Sequence, residues 1–156
     1  MMMVAQLPMP DETASVVLAG CVARVLRAGD TLLLSGPIGA GKTHFARALI
    51  RAWTGQPDED VPSPSFTLVQ IYARNGTALW HCDLYRLGAP DEALELGLDE
   101  ALGRDICLIE WPDRLGRLVP SDALHLEFSA GNQGHAVTIA GPDPWPARLE
   151  ACLAAD

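Results

Sequence analysis

The apolar positions of this chain follow two different periods. Between residues 11 and 27, Leu18, Cys21, Val22, Val25 and Leu26 recur at helical spacing and predict an amphipathic helix. Asp11 stands where an N-cap belongs, Glu12 and Thr13 fill the first turn, and Gly29-Asp30 ends the segment. Residues 31–35, Thr-Leu-Leu-Leu-Ser, form a short unbroken apolar run. Such a run suits a strand covered on both faces of a parallel sheet. A second run of this type, Ile-Cys-Leu-Ile, occupies residues 106–109. Residues 44–53 predict a helix and 55–64 a loop. Residues 66–72 and 77–84 are β-type runs joined by Arg74-Asn75-Gly76, a hairpin signal. Residues 90–102 predict a helix interrupted at Gly97. Residues 123–128 and 136–140 predict two more strands around a polar, Gly-rich turn. The last segment, 141–156, starts in a Pro-rich bend and closes in a short helix. No internal repeat is present. The sum is an α/β chain with helices packed on a mixed sheet. Its 156 residues predict one domain, 1–156, with a core in 10–141 and a C-terminal tail helix in 142–156.

Composition narrows the partners. The formal charge of −9 opposes direct strong binding of a phosphate backbone, which needs Lys and Arg to neutralise it. Any nucleic acid in this biology is expected to be held by another protein. Small anions escape that limit, because backbone amides bind them locally. No uncharged stretch approaches the roughly 20 apolar residues that cross a bilayer. Residues 1–10 have neither the basic start nor the apolar run of a signal peptide. Cys21, Cys82, Cys107 and Cys152 are scattered, without a C-x-x-C pair. They predict reduced core thiols in a cytoplasmic protein without membrane contact.

Residues 36–43, Gly-Pro-Ile-Gly-Ala-Gly-Lys-Thr, change the picture most. They match G-x-x-x-x-G-K-[ST] and lie between an apolar strand and a helix. Glycines let such a loop wrap closely round phosphate with its N–H groups turned inward, and the helix start adds its positive dipole end. Gly36, Ile38, Gly39, Ala40 and Gly41 would supply the cradle. Lys42 would reach the β- and γ-phosphates, and the Thr43 hydroxyl would ligate Mg²⁺. His44 continues the cradle into the helix, where its own residue type also suits a structural role. Lys42 is the only lysine among 11 Lys and Arg residues. The chain is therefore expected to be a P-loop NTPase-like protein with a mixed, mainly parallel sheet and a β-hairpin insertion, taking ATP and Mg²⁺.

Such a loop needs an acid at the end of a neighbouring strand. Glu110 directly follows the 106–109 run, and Asp83 ends the second hairpin strand. A carboxylate in that position is costly unless paired or metal-bound. Glu110 is the first candidate for the metal. Asp83 is a second ligand or orients the attacking water. Lys42, Asp83 and Glu110 thus form the expected catalytic set. His81, Cys82 and Cys107 read as core positions rather than a metal site, and Arg114 and Arg117 read as surface; Arg86, close after Asp83, reads as solvated surface with an approach to phosphate as the alternative.

Five linked segments resemble one family. They are residues 36–43, Val-Pro-Ser-Pro-Ser-Phe-Thr-Leu-Val at 61–69, His-Cys-Asp-Leu-Tyr-Arg-Leu at 81–87, Glu-Leu-Gly-Leu at 95–98 and Cys-Leu-Ile-Glu-Trp-Pro at 107–112. In order and spacing they are similar to the small ATPase of the bacterial threonylcarbamoyladenosine tRNA-modification machinery, the TsaE (YjeE) family. The resemblance covers about half of the chain. It implies a compact P-loop fold, an ATPase weak by itself, and partnership with TsaD and TsaB. Those proteins transfer the threonylcarbamoyl group to adenosine 37 of tRNAs reading ANN codons, and ATP turnover would reset the complex. It implies metal ligation by Thr43 and Glu110, support of hydrolysis by Asp83, and a switch-like segment at 63–67. Trp111 matches a family tryptophan of functional interest. His135 takes the place of a basic residue near the nucleotide, and Thr13 lies near the base. The chain departs from the family at Pro37, where an acid is usual, and at Ser65, where Thr is usual.

Two other readings compete. A small-molecule P-loop kinase would carry an arginine-rich lid, whereas the arginines here are spread out. A nucleotide-gated scaffold would bind ATP without turning it over. A GTPase is disfavoured, because an N-K-x-D motif is absent and the one lysine lies in the loop. A cheap test follows from that lysine. Acetylation is expected to modify only the N-terminal amine and Lys42, with saturating Mg-ATP protecting Lys42. Equal labelling of Lys42 with and without Mg-ATP, read by peptide mass spectrometry, would rule out the cradle.

Overall fold

The computed structural model describes residues 2–132 and 134–154. In chain order the elements are β1 (Met2–Pro8), α1 (Glu12–Val25), β2 (Thr31–Ser35), α2 (Lys42–Thr54), β3 (Val69–Arg74) and β4 (Thr77–Asp83). Then come α3 (Asp91–Glu95), α4 (Leu98–Ala101), β5 (Ile106–Glu110), a 3₁₀ segment (Pro112–Leu118), β6 (Leu124–Gly131), β7 (Gly134–Gly141) and α5 (Trp145–Ala154). The described strands form one sheet in the order β1-β7-β6-β2-β5-β4-β3. Its centre, β6-β2-β5-β4, is parallel, and antiparallel neighbours complete both edges.

The unbroken apolar runs are explained by burial on two faces. Leu32 and Leu34 of β2 pack into one core with Phe45, Leu49 and Ile50 of α2 and Leu18 and Val22 of α1. Leu33, between them, points to a second core with Cys107, Ile109, Leu98 and Leu115. Alternate residues of a strand face opposite sides, so both layers demand apolar side chains and the polar alternation disappears.

The β2, β5 and β4 strands run the same way, so their C-terminal ends meet at one edge of the sheet. Leu34 pairs with Glu110 and Asp83 pairs with Glu110. The loop 36–41 leaves β2 at that same edge. In open α/β sheets this is where ligands bind.

Several expectations need correcting. Residues 2–8 carried no strand signal, yet they pair with β7 as an edge strand with an irregularity between Met3 and Ala5. An edge strand is held largely by backbone bonds, so little side-chain pattern marks it. The first hairpin strand was expected from residue 66. Residues 66–68 instead make a turn, with the Leu68 amide donating to the Pro64 carbonyl at 2.7 Å and Leu68 at φ 68°. The hairpin itself turns at Asn75 and Gly76, both at positive φ (51° and 81°), as a two-residue turn of this kind requires. Within the hairpin, β4 pairs with β5 in the parallel centre and β3 lies at the edge of the sheet.

The thiols also divide. Cys82 and Cys107 are buried and free, as expected. Burial pushes the Cys82 thiol well up, and chiefly burial raises Cys107 to about 12. Both are therefore protonated and inert near neutrality. Cys21 and Cys152, expected to be reduced, are joined in a disulfide with Cα atoms 5.6 Å apart. They are 131 residues apart in sequence and meet only because α5 packs on α1, a contact that spacing cannot reveal.

Arg148 makes the same junction by charge. Its guanidinium donates to Asp30 Oδ1 at 3.0 Å, to Asp30 Oδ2 at 2.5 Å and to the Val25 carbonyl, and lies 4.1 Å from the Trp145 ring centroid. Both side chains of the pair are largely buried, so removing one partner strands the other charge. Arg148→Ala is expected to lower unfolding stability by about 3 kcal/mol, measured by urea denaturation, whereas exposed Arg24→Ala should change it little.

Candidate functional site

The loop 36–41 needs backbone conformations that side chains resist. Gly36, Gly39 and Gly41 have φ of 135°, 85° and 104°. At Gly36 a Cβ would also collide with the Phe128 carbonyl oxygen. Gly36 thus serves both the bend and the close approach of β6. The helix α2 opens at Lys42 without a side-chain cap, so its first amides face the loop.

A cavity of about 460 Å³ lies over this helix start. Ile38, Gly39, Gly41, Lys42, Thr43 and His44 line one side, and Asp83 and Glu110 line the strand ends. Gly36 and Ala40 are part of the bend without lining this cavity. The Thr43 hydroxyl donates to Glu110 Oε1 at 2.8 Å. Glu110 is 1% exposed, and its other oxygen, Oε2, accepts from His81 Nε2 at 2.8 Å. Asp83 is also buried. It accepts from the Tyr85 amide at 3.1 Å and faces the Ser65 hydroxyl at 3.5 Å, which in turn meets Ser63 Oγ at 2.8 Å. The expected acids and the loop are therefore brought together.

Lys42 is buried at 5% exposure. Its ammonium donates to the Gly36 carbonyl and sits 3.6 Å from the Trp111 ring centroid. Burial lowers its pKa, against the opposing pull of Glu110, Asp83 and Asp113. Trp111 holds φ 61° and ψ 55°, a left-handed conformation that costs a bulky residue energy. Its ring also meets Tyr85, with centroids 4.9 Å apart. Trp111, the counterpart of the family tryptophan, is thus a half-buried wall of the cavity against Lys42.

A second cavity, about 230 Å³, shares Ala40, Gly41 and His44 with the loop. Met9, Asp11, Glu12, Ser15, Phe128 and His135 complete it. His135, the expected counterpart of a basic residue of the family, is among these lining residues. Thr13 does not line this cavity; it is exposed on the first turn of α1. Ser15 was missed. Its hydroxyl is buried without a partner among the described residues, as is His44 Nε2. The available signal was a polar residue one turn before Leu18 and Ala19 on the apolar face of α1.

Two more residues make contacts that the sequence did not reveal. Arg86 is exposed, as expected, and also lines the larger cavity, with its guanidinium 4.5 Å from the Phe66 ring centroid. His81, expected as simple core, is fully buried and bonded to Glu110.

The donors suit a hard divalent ion carried by a polyphosphate. Thr43 Oγ1 and Glu110 Oε1 are both oxygens, 2.8 Å apart. Among the described residues no three His, Cys, Asp or Glu side chains gather as a metal cage. Mg²⁺ is held in that manner, by one or two protein oxygens with phosphates and water making up the rest.

Comparison with known proteins agrees with this geometry. The model of the family described as "Threonylcarbamoyl adenosine biosynthesis protein TsaE" matches residues 9–137. The tRNA threonylcarbamoyladenosine biosynthesis protein TsaE of Rickettsia bellii is 38% identical over 110 residues, covering 70% of this chain and 76% of that protein. Its namesake in Bacillus subtilis is 34% identical over 132 residues, covering 83% and 80%. The crystal structure of Bacillus subtilis YdiB superposes with a TM-score of 0.78 at 25% identity, covering 97% of this chain and 95% of that one. A P-loop built on a parallel centre, with acids at the neighbouring strand ends, is a nucleotide-binding arrangement, and with these matches the chain belongs to the TsaE family.

Proposed function

We propose that this chain binds and hydrolyses Mg-ATP as a component of tRNA threonylcarbamoyladenosine formation, acting with TsaD and TsaB proteins on adenosine 37 of tRNAs reading ANN codons. The observation that carries the reading is the Thr43–Glu110 hydrogen bond at the mouth of the 36–41 loop. It sets a helix-start hydroxyl and a buried strand-end carboxylate side by side, which is the donor pair a nucleotide-bound Mg²⁺ needs.

In this reading the amides of residues 38–44 hold the phosphates, with Gly36 shaping the bend. Lys42 exchanges its bond to the Gly36 carbonyl for phosphate oxygens. Thr43 and Glu110 hold the ion, which supplies charge neutralisation on the phosphates. Asp83, at the next strand end and hydrogen-bonded into the Ser65–Ser63 pair, orients the attacking water. The second cavity takes the base, with Ser15, His44 and His135 around it.

Family membership favours this over a small-molecule kinase or a scaffold. The setting is cytoplasmic, where the tRNA is, and no helix among the described residues is long and apolar enough to cross a membrane. A net charge of −9 supports indirect contact with tRNA through the partners. The one domain 1–156, a weak basal rate and its stimulation by those partners complete the proposal.

Phosphate release without any acceptor tests it. Lys42→Ala is expected to lower the rate by at least about a hundredfold, the scale for removing a donor that stabilises transition-state charge. Glu110→Gln should lose turnover while still binding ATP. Unchanged phosphate release by Lys42→Ala would end the reading.

A further inference from the structure

We infer that His81 is a positioning residue for the metal-binding carboxylate: its Nε2–H fixes the orientation of Glu110 and so sets the affinity of the site for Mg²⁺. The inference rests on the reading of Glu110 as the metal ligand and deepens it.

The geometry starts in the sheet. β4 and β5 are parallel, with His81 paired to Leu108 and Asp83 paired to Glu110. His81 and Asp83 are two residues apart on one strand and share a face. Glu110 lies opposite Asp83 on the same side, so the imidazole reaches it diagonally from two residues back along the strand. An ionised carboxylate only accepts, so His81 Nε2 is the donor in the 2.8 Å bond to Oε2. Thr43 Oγ1 donates to Oε1 at 2.8 Å. Each carboxylate oxygen thus has its own side-chain donor, one from a strand below and one from the helix above.

The two donors have different freedom. Thr43 is the residue whose oxygen turns to the ion, so its bond to Oε1 is the one given up. His81 is 0% exposed and locked between strands. It keeps Oε2 engaged and leaves Oε1 as the oxygen on the Thr43 side. Without it the carboxylate is free to rotate, and its pairing with the ion loses the fixed plane.

The residue type supports this reading over simple packing. On β4, Leu79 on the face of His81 and Cys82 on the opposite face are buried apolar side chains. A histidine here has its Nδ1 buried with no partner among the described residues. Burying an imidazole with one nitrogen unmet is unfavourable relative to an apolar side chain. The bond to Glu110 is the single polar contact that compensates. Ligand-orienting partners of this kind are worth about tenfold to a hundredfold in metal affinity.

The test titrates Mg²⁺ against binding of a fluorescent ADP analogue, with the same binding measured in excess EDTA and the melting midpoint recorded for each variant. His81→Phe is expected to raise the half-saturating Mg²⁺ concentration by about tenfold or more, leaving EDTA binding unchanged. His81→Gln, which places an N–H near the position of Nε2, should restore the wild-type value. A folded His81→Phe with wild-type Mg²⁺ response overturns the inference, as does a folded His81→Gln no better than Phe. If Phe does not fold, Gln is compared with the shorter Asn: Gln near wild type with Asn impaired supports the inference, and equal values overturn it. Glu110→Gln run in parallel separates the two readings. If it leaves the Mg²⁺ response unchanged, the metal role of Glu110 falls and the His81 inference falls with it. If it weakens the response while His81→Phe does not, only the His81 inference fails.

Discussion

A carboxylate with 1% exposure at the end of a central strand must be met by donors, and the surroundings of Glu110 are arranged to meet it. Thr43 comes from the helix, His81 from the neighbouring strand, and each takes one oxygen. The arrangement works only because β2, β4 and β5 are parallel and in register at their C-terminal ends. A one-residue slip of β5 would send Glu110 to the opposite face. The two apolar cores above and below the sheet hold that register, so the packing of Leu32, Leu34, Leu33 and Ile109 is directly part of the site's chemistry.

The loop that faces Glu110 is governed by backbone shape. Gly36 has to pass under Phe128 of β6, and no side chain fits there. The strand on one side of β2 therefore shapes the cradle, and the strand on the other side supplies the acid. Lys42 lies between these influences, buried, with its charge held by the Gly36 carbonyl and the Trp111 ring. Trp111 reaches it through a left-handed turn right after Glu110. The negative charge of the whole chain does not oppose anion binding here, because the binding groups are local amides with one ammonium.

The far end of the molecule anchors α1. The Cys21–Cys152 bond and the Arg148–Asp30 pair both fasten α5 to α1 or to the turn that follows it. α1 begins at Asp11, whose side chain accepts from the Ala14 amide at 2.9 Å. Its first two turns form a wall of the smaller cavity, with Ser15 turned inward. The disulfide and the ion pair hold α1 at sites distant from the 36–41 loop.

By itself the sequence determined the parts whose cause is local. Glycine spacing, an apolar run and a following helix define the 36–43 cradle, because phosphate binding by amides needs only contiguous residues. The runs at 31–35 and 106–109, the turn at Asn75-Gly76 and the break at Gly97 were legible for the same reason. Glu110 and Asp83 were legible as acids ending apolar strands. Tertiary structure alone decided what depends on distant neighbours. β1 gains its place from backbone pairing with β7, and Cys21 meets Cys152 only through helix packing. His81 looks like any buried strand residue until β5 sets Glu110 diagonally across from it, and Arg86 and Ser15 acquire roles only once cavities form beside them. Side-chain partners separated by tens of residues are selected by register and packing, and no period along the chain encodes them.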